Sequence, residues 1–236
     1  MTTGFTPDTL RFLVDLRENN TKTWFTEHRE RFDRHVLNPM AELVGELGPA
    51  MLDIDPDFET RPLVGKTIAR VHRDTRFSRD KSPYRTNLWF SFKRPFKTWQ
   101  ENPAFFFDLG IEQCHYGMGF YAASRATMDH LRAMIDDTPE EFLEATAPAR
   151  GQTRFSLAGE MYKKSLNPKL PPELADWYQR KTLYLMRREP VGAEHFGPGF
   201  ADRLREDFTI LAPLYHLFWS LRTDNGGGSG ARRNGA

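Results

Sequence analysis

Apolar positions change period twice along the chain. Up to residue 51 they recur at helical spacing: Leu10, Leu13 and Val14 beside Arg17, then Trp24, Phe25, His28, Phe32 and Val36, then Leu43, Val44, Leu47 and Met51. Thr6-Pro7 supplies a cap and a first-turn proline for the first helix, and Asn19-Asn20 ends it. Pro39 has no N–H to give to a running helix, so it is expected to start a third one. Residues 53–62 carry two prolines among acids and read as a loop.

From residue 66 the period becomes two. Thr67, Ala69 and Val71 alternate with Lys66, Ile68, Arg70 and His72, and Leu88, Phe90 and Phe92 alternate with Trp89, Ser91 and Lys93. Phe105, Phe107, Leu109 and Ile111 alternate with Phe106, Asp108, Gly110 and Glu112, and Cys114, Tyr116, Met118 and Phe120 with His115, Gly117, Gly119 and Tyr121. Four such segments, rich in aromatic and β-branched residues, predict a sheet, and the short join from Gly110 to Gln113 makes its neighbours antiparallel. Leu183, Leu185 and Arg187 add a strand. Helices return at Ser124, which caps a run with Met128, Leu131, Arg132 and Ile135, and at Thr138-Pro139-Glu140-Glu141. The last helix runs from Phe200 through Leu204, Phe208, Leu211 and Leu214 to Leu221, with a kink expected at Pro213. The order helix, sheet, helix predicts an α+β fold: one domain over residues 1–222, with a mainly antiparallel sheet and the N- and C-terminal helices on one of its faces. Residues 223–236, glycine-rich and without a large apolar side chain, read as a disordered tail.

Composition narrows the class. The 236 residues are 28% charged and 39% hydrophobic, as in a globular, water-soluble protein, and no apolar run approaches a membrane span. The N-terminus lacks the pattern of a signal peptide, and one cysteine, Cys114, rules out an internal disulfide; both point to a cytoplasmic protein. With 33 basic and 32 acidic residues the net charge is +1, too balanced for a general polyanion binder. The distribution is not balanced. Residues 66–85 hold seven basic side chains against two acids, a local charge of +5, and the remainder is net negative. Arginine dominates, and its planar fork binds phosphate or carboxylate bidentately. Arg70, Arg73, Arg76, Ser78, Lys81, Tyr84 and Arg85 are therefore candidate ligand contacts, with Asp74 and Asp80 orienting the arginines. The plainer alternative is an ion-pair network that pins a loop.

Alternation supplies a second set. If Leu88, Phe90 and Phe92 face the core, the opposite face carries Trp89, Ser91, Lys93, Asp108, Glu112, His115, Gly117, Gly119, Tyr121, Arg70 and His72. The glycines leave room for close approach, and Asp108, His115 and Tyr121 are candidates for proton transfer. Other motifs fail. Gly65-Lys66-Thr67 lacks the leading glycine of a phosphate loop and precedes alternation instead of a helix; Gly117-Met118-Gly119 lacks the third glycine of a dinucleotide fingerprint. Cys114 falls on the core side of its strand. The seven histidines form no His-x-His or His-Glu-x-x-His, and no metal site is assigned.

The run from Ile68 to Thr86, containing Arg70-Val71-His72-Arg73-Asp74-Thr75-Arg76-Phe77-Ser78-Arg79-Asp80-Lys81-Ser82-Pro83-Tyr84-Arg85, resembles the signature of a bacterial family known as domain of unknown function 2461. Asn19-Asn20-Thr21-Lys22-Thr23-Trp24-Phe25 resembles its early helix junction, and Gly117-Met118-Gly119-Phe120-Tyr121 its central glycine-aromatic strand. The family's basic, proline-containing stretch before the last strand is matched only loosely by Tyr162-Lys163-Lys164-Ser165-Leu166-Asn167-Pro168. The resemblance implies a single cytosolic domain. It implies no cofactor, substrate or catalytic residue. The functional expectation thus rests on the residues: binding, and with Asp108, His115 and Tyr121 turnover, of a small anionic ligand, phosphate-bearing by preference. The alternatives are a nucleic-acid-binding module, with bases stacked between arginines and aromatic rings, and a partner-binding scaffold.

Overall fold

The computed structural model describes residues 4–197 and 199–222, so the expected tail at 223–236 lies outside the described residues. The chain opens with four helices, α1 (Pro7–Glu18), α2 (Lys22–Glu27), α3 (Arg29–Phe32) and α4 (Asn38–Ile54). Thr6 starts α1, its backbone N–H donating to Thr9 Oγ1 at 3.1 Å. Pro39 falls in the first turn of α4, where the sequence reading starts its third helix, but the backbone does not break before it. A π turn over Asp33–Leu37 joins α3 to α4 directly. Its wider pitch, with the Asn38 N–H bonded to the Asp33 carbonyl, passes the missing proline N–H without ending the helix.

Five strands follow: β1 (Leu88–Phe92), β2 (Pro103–Leu109), β3 (Gln113–Phe120), β4 (Ser156–Ala158) and β5 (Tyr184–Pro190). They form one antiparallel sheet in the order β1-β2-β3-β5-β4. The β2–β3 hairpin closes through Gly110 N–H to Gln113 O at 2.9 Å, as the short join requires. Between the last strands lie α5 (Arg125–Asp137), α6 (Pro139–Arg150) and α7 (Pro172–Tyr178), and α8 (Gly199–Ser220) ends the fold with Pro213 inside it. Ser124 caps α5 by accepting from the Thr127 N–H at 3.0 Å.

The segment expected as a strand over residues 66–72 is not one. It lies along β1 through single contacts: Ala69 N–H to Trp89 O at 3.0 Å, Ser91 N–H to Thr67 O at 3.0 Å and an isolated bridge between Ile68 and Phe90. Its alternation also breaks, because the neighbours Thr67 and Ile68 are both buried.

One face of the sheet is the core. Phe90, Phe92, Phe105, Phe107, Cys114, Tyr116 and Met118 are fully buried there. Phe90 stacks on Phe107 at 5.1 Å, Phe105 meets Phe208 of α8 at 5.2 Å, and Phe120 stacks on Phe218 at 5.4 Å. Each such side chain contributes about 2–3 kcal/mol by leaving water. Burial holds the Cys114 thiol far above its ordinary range, so it stays protonated and unreactive. No described helix is long and apolar enough to cross a membrane. The helices leave the opposite sheet face open, and that is where the polar residues of the alternation lie.

Candidate functional site

The register of the strands places three rows of side chains across the outer face. The first is Trp89, Asp108, His115 and Arg188; the second is Ser91, Phe106, Gly117, Met186 and Ser156; the third is Ala104, Gly119, Tyr184 and Ala158. Rows two residues apart are about 6.8 Å apart along a strand, so the first and third are separated by about 13 Å. A cleft of about 480 Å³ lies over these rows, walled by Arg85 and Asn87 on one side and by Trp99 and Tyr121 on the other. Arg85 and Asn87 belong to the segment entering β1. Trp99 comes from the helical turn before β2, and Tyr121 directly follows β3. Ala122 N–H donates to Gln100 O at 2.8 Å, which ties those last two walls together, and the rings of Trp99 and Tyr121 lie 5.7 Å apart.

The cleft is therefore graded. One end holds the ionisable groups. Asn87 Nδ2 donates to both oxygens of Asp108 at 2.8 and 3.0 Å. Burial nevertheless raises the Asp108 pKa above its ordinary 3.8, against the opposing pull of Asn87, His115 and Arg85. Its strand neighbour His115 is held below the ordinary 6.5, first by burial and then by the charge of Arg188. Burial thus works against the charged form of each group, upward for Asp108 and downward for His115. His115 Nε2 is buried without a hydrogen-bond partner. The other end is aromatic, made by Trp99, Tyr121 and Tyr184, with Phe106 in the middle row and Trp89 beside Asp108 in the first. Between the two ends Ser91 accepts from Lys93 Nζ at 2.6 Å, and that ammonium lies 4.6 Å from the centre of the Trp99 ring. Burial lowers the Lys93 pKa.

Asp108, His115, Tyr121 and Arg85 of the sequence candidates share this cleft. The other members of the basic segment lie elsewhere. Residues 72–84 form an arm held at its base by a bridge between His72 and Tyr84 and by Arg73 N–H to Pro83 O at 2.8 Å. On this arm Arg76 grips Asp74 through Nε at 3.0 Å and Nη2 at 2.6 Å, and this bond holds the Asp74 carboxyl down at about 2. Arg73 pairs with Asp80 and reaches Ser78 Oγ at 3.4 Å. Ser82 and then Arg73 hold the Asp80 carboxyl below the usual carboxylate range. Lys81 Nζ donates to Thr75 O at 2.9 Å, so it fixes the loop. Tyr84 is buried against Phe25 at 4.1 Å, and Arg70 is exposed beside Gly65. The arm and the cleft are separate places, joined only where the chain passes through Arg85 into β1.

The two glycines have a different cause from the expected one. A methyl group on Gly117 would lie 1.9 Å from the Leu185 carbonyl oxygen, and one on Gly119 would lie 2.3 Å from Tyr184 Cα. The body that approaches them is β5, not a ligand. Glu112 lies in the β2–β3 turn, and His72 packs beside Tyr84 at 4.9 Å; neither reaches the cleft. Asn87, Trp99 and Tyr184 were missed by the sequence reading. Extending the alternation of β5 from Leu183 and Leu185 would have turned Tyr184 to this face, whereas Asn87 and Trp99 lie outside any period. Among the described residues no group of three or more His, Cys, Asp or Glu side chains is arranged to hold a metal ion.

Residues 8–217 match a family described as conserved hypothetical protein (DUF2461). The chain belongs to this family. The DUF2461 match takes in the whole sheet and every residue of the cleft. No curated protein matches the chain.

Proposed function

We propose that this DUF2461 protein binds a small ligand that carries a flat ring and an anionic group, with the ring between Trp99, Tyr121 and Tyr184 and the anion toward Arg85. The observation that carries this reading is the gradient along the cleft, with the rings of Trp99, Tyr121 and Tyr184 at one end and, in a strand row about 13 Å along the sheet, Asp108 and His115, joined by Arg85 and Asn87 in the lining. His115 Nε2, buried and unpartnered, is suited to accept a proton or hydrogen bond from the ligand, and Asp108 is suited to return one. In this reading the arm arginines Arg73 and Arg76 steer anions or hold the loop, and Arg85 makes the contact.

A thermal-shift panel of nucleoside monophosphates and aryl phosphates tests it. At least one compound is expected to raise the melting temperature of the wild type and of Arg76→Ala, and to lose that effect in Arg85→Ala and in Tyr184→Ala. A panel without effect, or shifts that Arg85→Ala leaves intact, would contradict the reading.

The nucleic-acid reading is favoured by one observation on the arm. Phe77 is 96% exposed, with the Arg76 guanidinium 5.8 Å from its ring, and Arg79 and Lys81 are exposed on the same arm. An aromatic ring among cations is a stacking platform for single-stranded bases. Binding of that kind weakens steeply with salt and is lost in Phe77→Ala, whereas binding in the cleft survives that change.

A further inference from the structure

A second polar hollow, of about 570 Å³, lies on the other side of β5. Beyond Met186 no strand pairs with β5 on the β4 side among the described residues, because β4 reaches only Tyr184, Leu185 and Met186. The uncovered end of β5 carries Arg187, Arg188 and Glu189. Arg154 enters from the chain before β4, and Arg203 from the second turn of α8.

We propose that this hollow is a binding site for a multiply charged oxyanion, a phosphate group above all. The buried acids account for part of the arginine cluster. Asp207 is fully buried and accepts from Tyr116 Oη at 2.7 Å, Arg154 Nη1 at 2.7 Å and Arg187 Nη1 at 3.3 Å. Glu189 accepts from Arg187 Nε at 2.7 Å, Arg203 Nη2 at 2.6 Å and His195 Nε2 at 2.8 Å. These contacts use few of the roughly 20 N–H donors that four guanidiniums carry. Arg203 Nε is buried with no partner, although the same guanidinium lies over the Phe200 ring at 4.9 Å and is thereby held in place. The Arg188 side chain lines the hollow and makes no hydrogen bond or ion pair among the described residues, its backbone alone being paired with β3. Two guanidiniums therefore have donors to spare around a concave, polar space. Arg203 is already held by Glu189 and Phe200, so an incoming anion has only the Arg188 side chain left to order. Of the acids that line the hollow, Glu189 is committed to Arg187 and Arg203, and Glu206 is exposed. An anion with two or more charges gains most from such a set, because it can meet Arg188 and Arg203 together.

This site is distinct from the sheet-face cleft, and Arg188 stands between the two. Calorimetry with inorganic pyrophosphate and inorganic phosphate at low salt tests it on the full chain. Pyrophosphate is expected to bind more tightly than phosphate. Arg188→Glu is expected to weaken it at least tenfold with an unchanged melting temperature, since Arg188 has no structural partner to lose. Arg188→Gln gives an intermediate affinity, and Arg76→Glu on the arm binds as the wild type does. Absence of heat with either anion at millimolar concentration, or equal affinity in Arg188→Glu and the wild type, would overturn the proposal. Loss of binding in Arg85→Ala instead would move the anion to the cleft.

Discussion

His115 stands between a carboxyl and a guanidinium that move its titration in opposite directions. Burial and Arg188 hold it below 6.5, and Asp108 resists. Replacing Arg188 by Ala is expected to raise the His115 pKa toward 6.5, and replacing Asp108 by Asn to lower it further; imidazole resonances followed against pH measure both. The sign for stability follows from linkage. Between its folded value and 6.5 the unfolded chain holds more protons on this histidine, so its contribution to stability falls as pH falls through that window, and Arg188→Ala narrows the window. The site is legible at this scale where period alone decides. Asp108 and His115 are placed on one face by strict alternation, and their register as partners follows from a short hairpin. Charge density alone was less informative. The run from residue 66 to 85 contains its own carboxylates, and on a folded arm Asp74 and Asp80 meet Arg76 and Arg73 before any ligand does.

Among the elements, helices α1, α5 and α6 and strands β1, β2, β3 and β5 follow from caps, prolines and periods. Three features do not. The π turn before Pro39 depends on the tertiary burial of Val36 and Met40, which is strong enough to keep the helix running past a missing N–H. The three residues of β4 are too few to show a period. Residues 66–72 alternate but pair with β1 only at single points, because Thr67 and Ile68 are buried together. The β3–β5 contact is the element-level feature on which the cleft floor depends. Gly117→Ala puts a methyl group against the Leu185 carbonyl and is expected to destabilise the fold by about 3 kcal/mol in chemical denaturation. A cost near zero would mean that β5 can withdraw from β3.

For the whole molecule, the division of labour between the two sheet faces is what matters. The inner face is closed by α8, with Phe105 meeting Phe208 and Tyr215. Phe105→Ala is expected to cost about 3–5 kcal/mol of stability. A helix-covered inner face holds the sheet rigid, so the outer face can present aromatic rings and ionisable groups at fixed separation without a lid. The overall plan of helix, antiparallel sheet and helix was readable from the sequence because both periods are long. The cleft was readable only in part, since its walls at Arg85, Asn87 and Trp99 come from irregular segments that are positioned by contacts distant in sequence.

The five tryptophans offer the most direct test of the central claim, because Trp89 and Trp99 line the cleft and Trp24, Trp177 and Trp219 do not. Indole N–H resonances would be followed while adenosine monophosphate, a flat ring bearing a phosphate, is added to the wild type and to Arg85→Ala. The account predicts that the Trp99 and Trp89 signals move in the wild type, that the other three stay, and that Arg85→Ala suppresses the movement. Movement confined to Trp24, Trp177 or Trp219, or no movement with this probe and with an aryl phosphate, would contradict it.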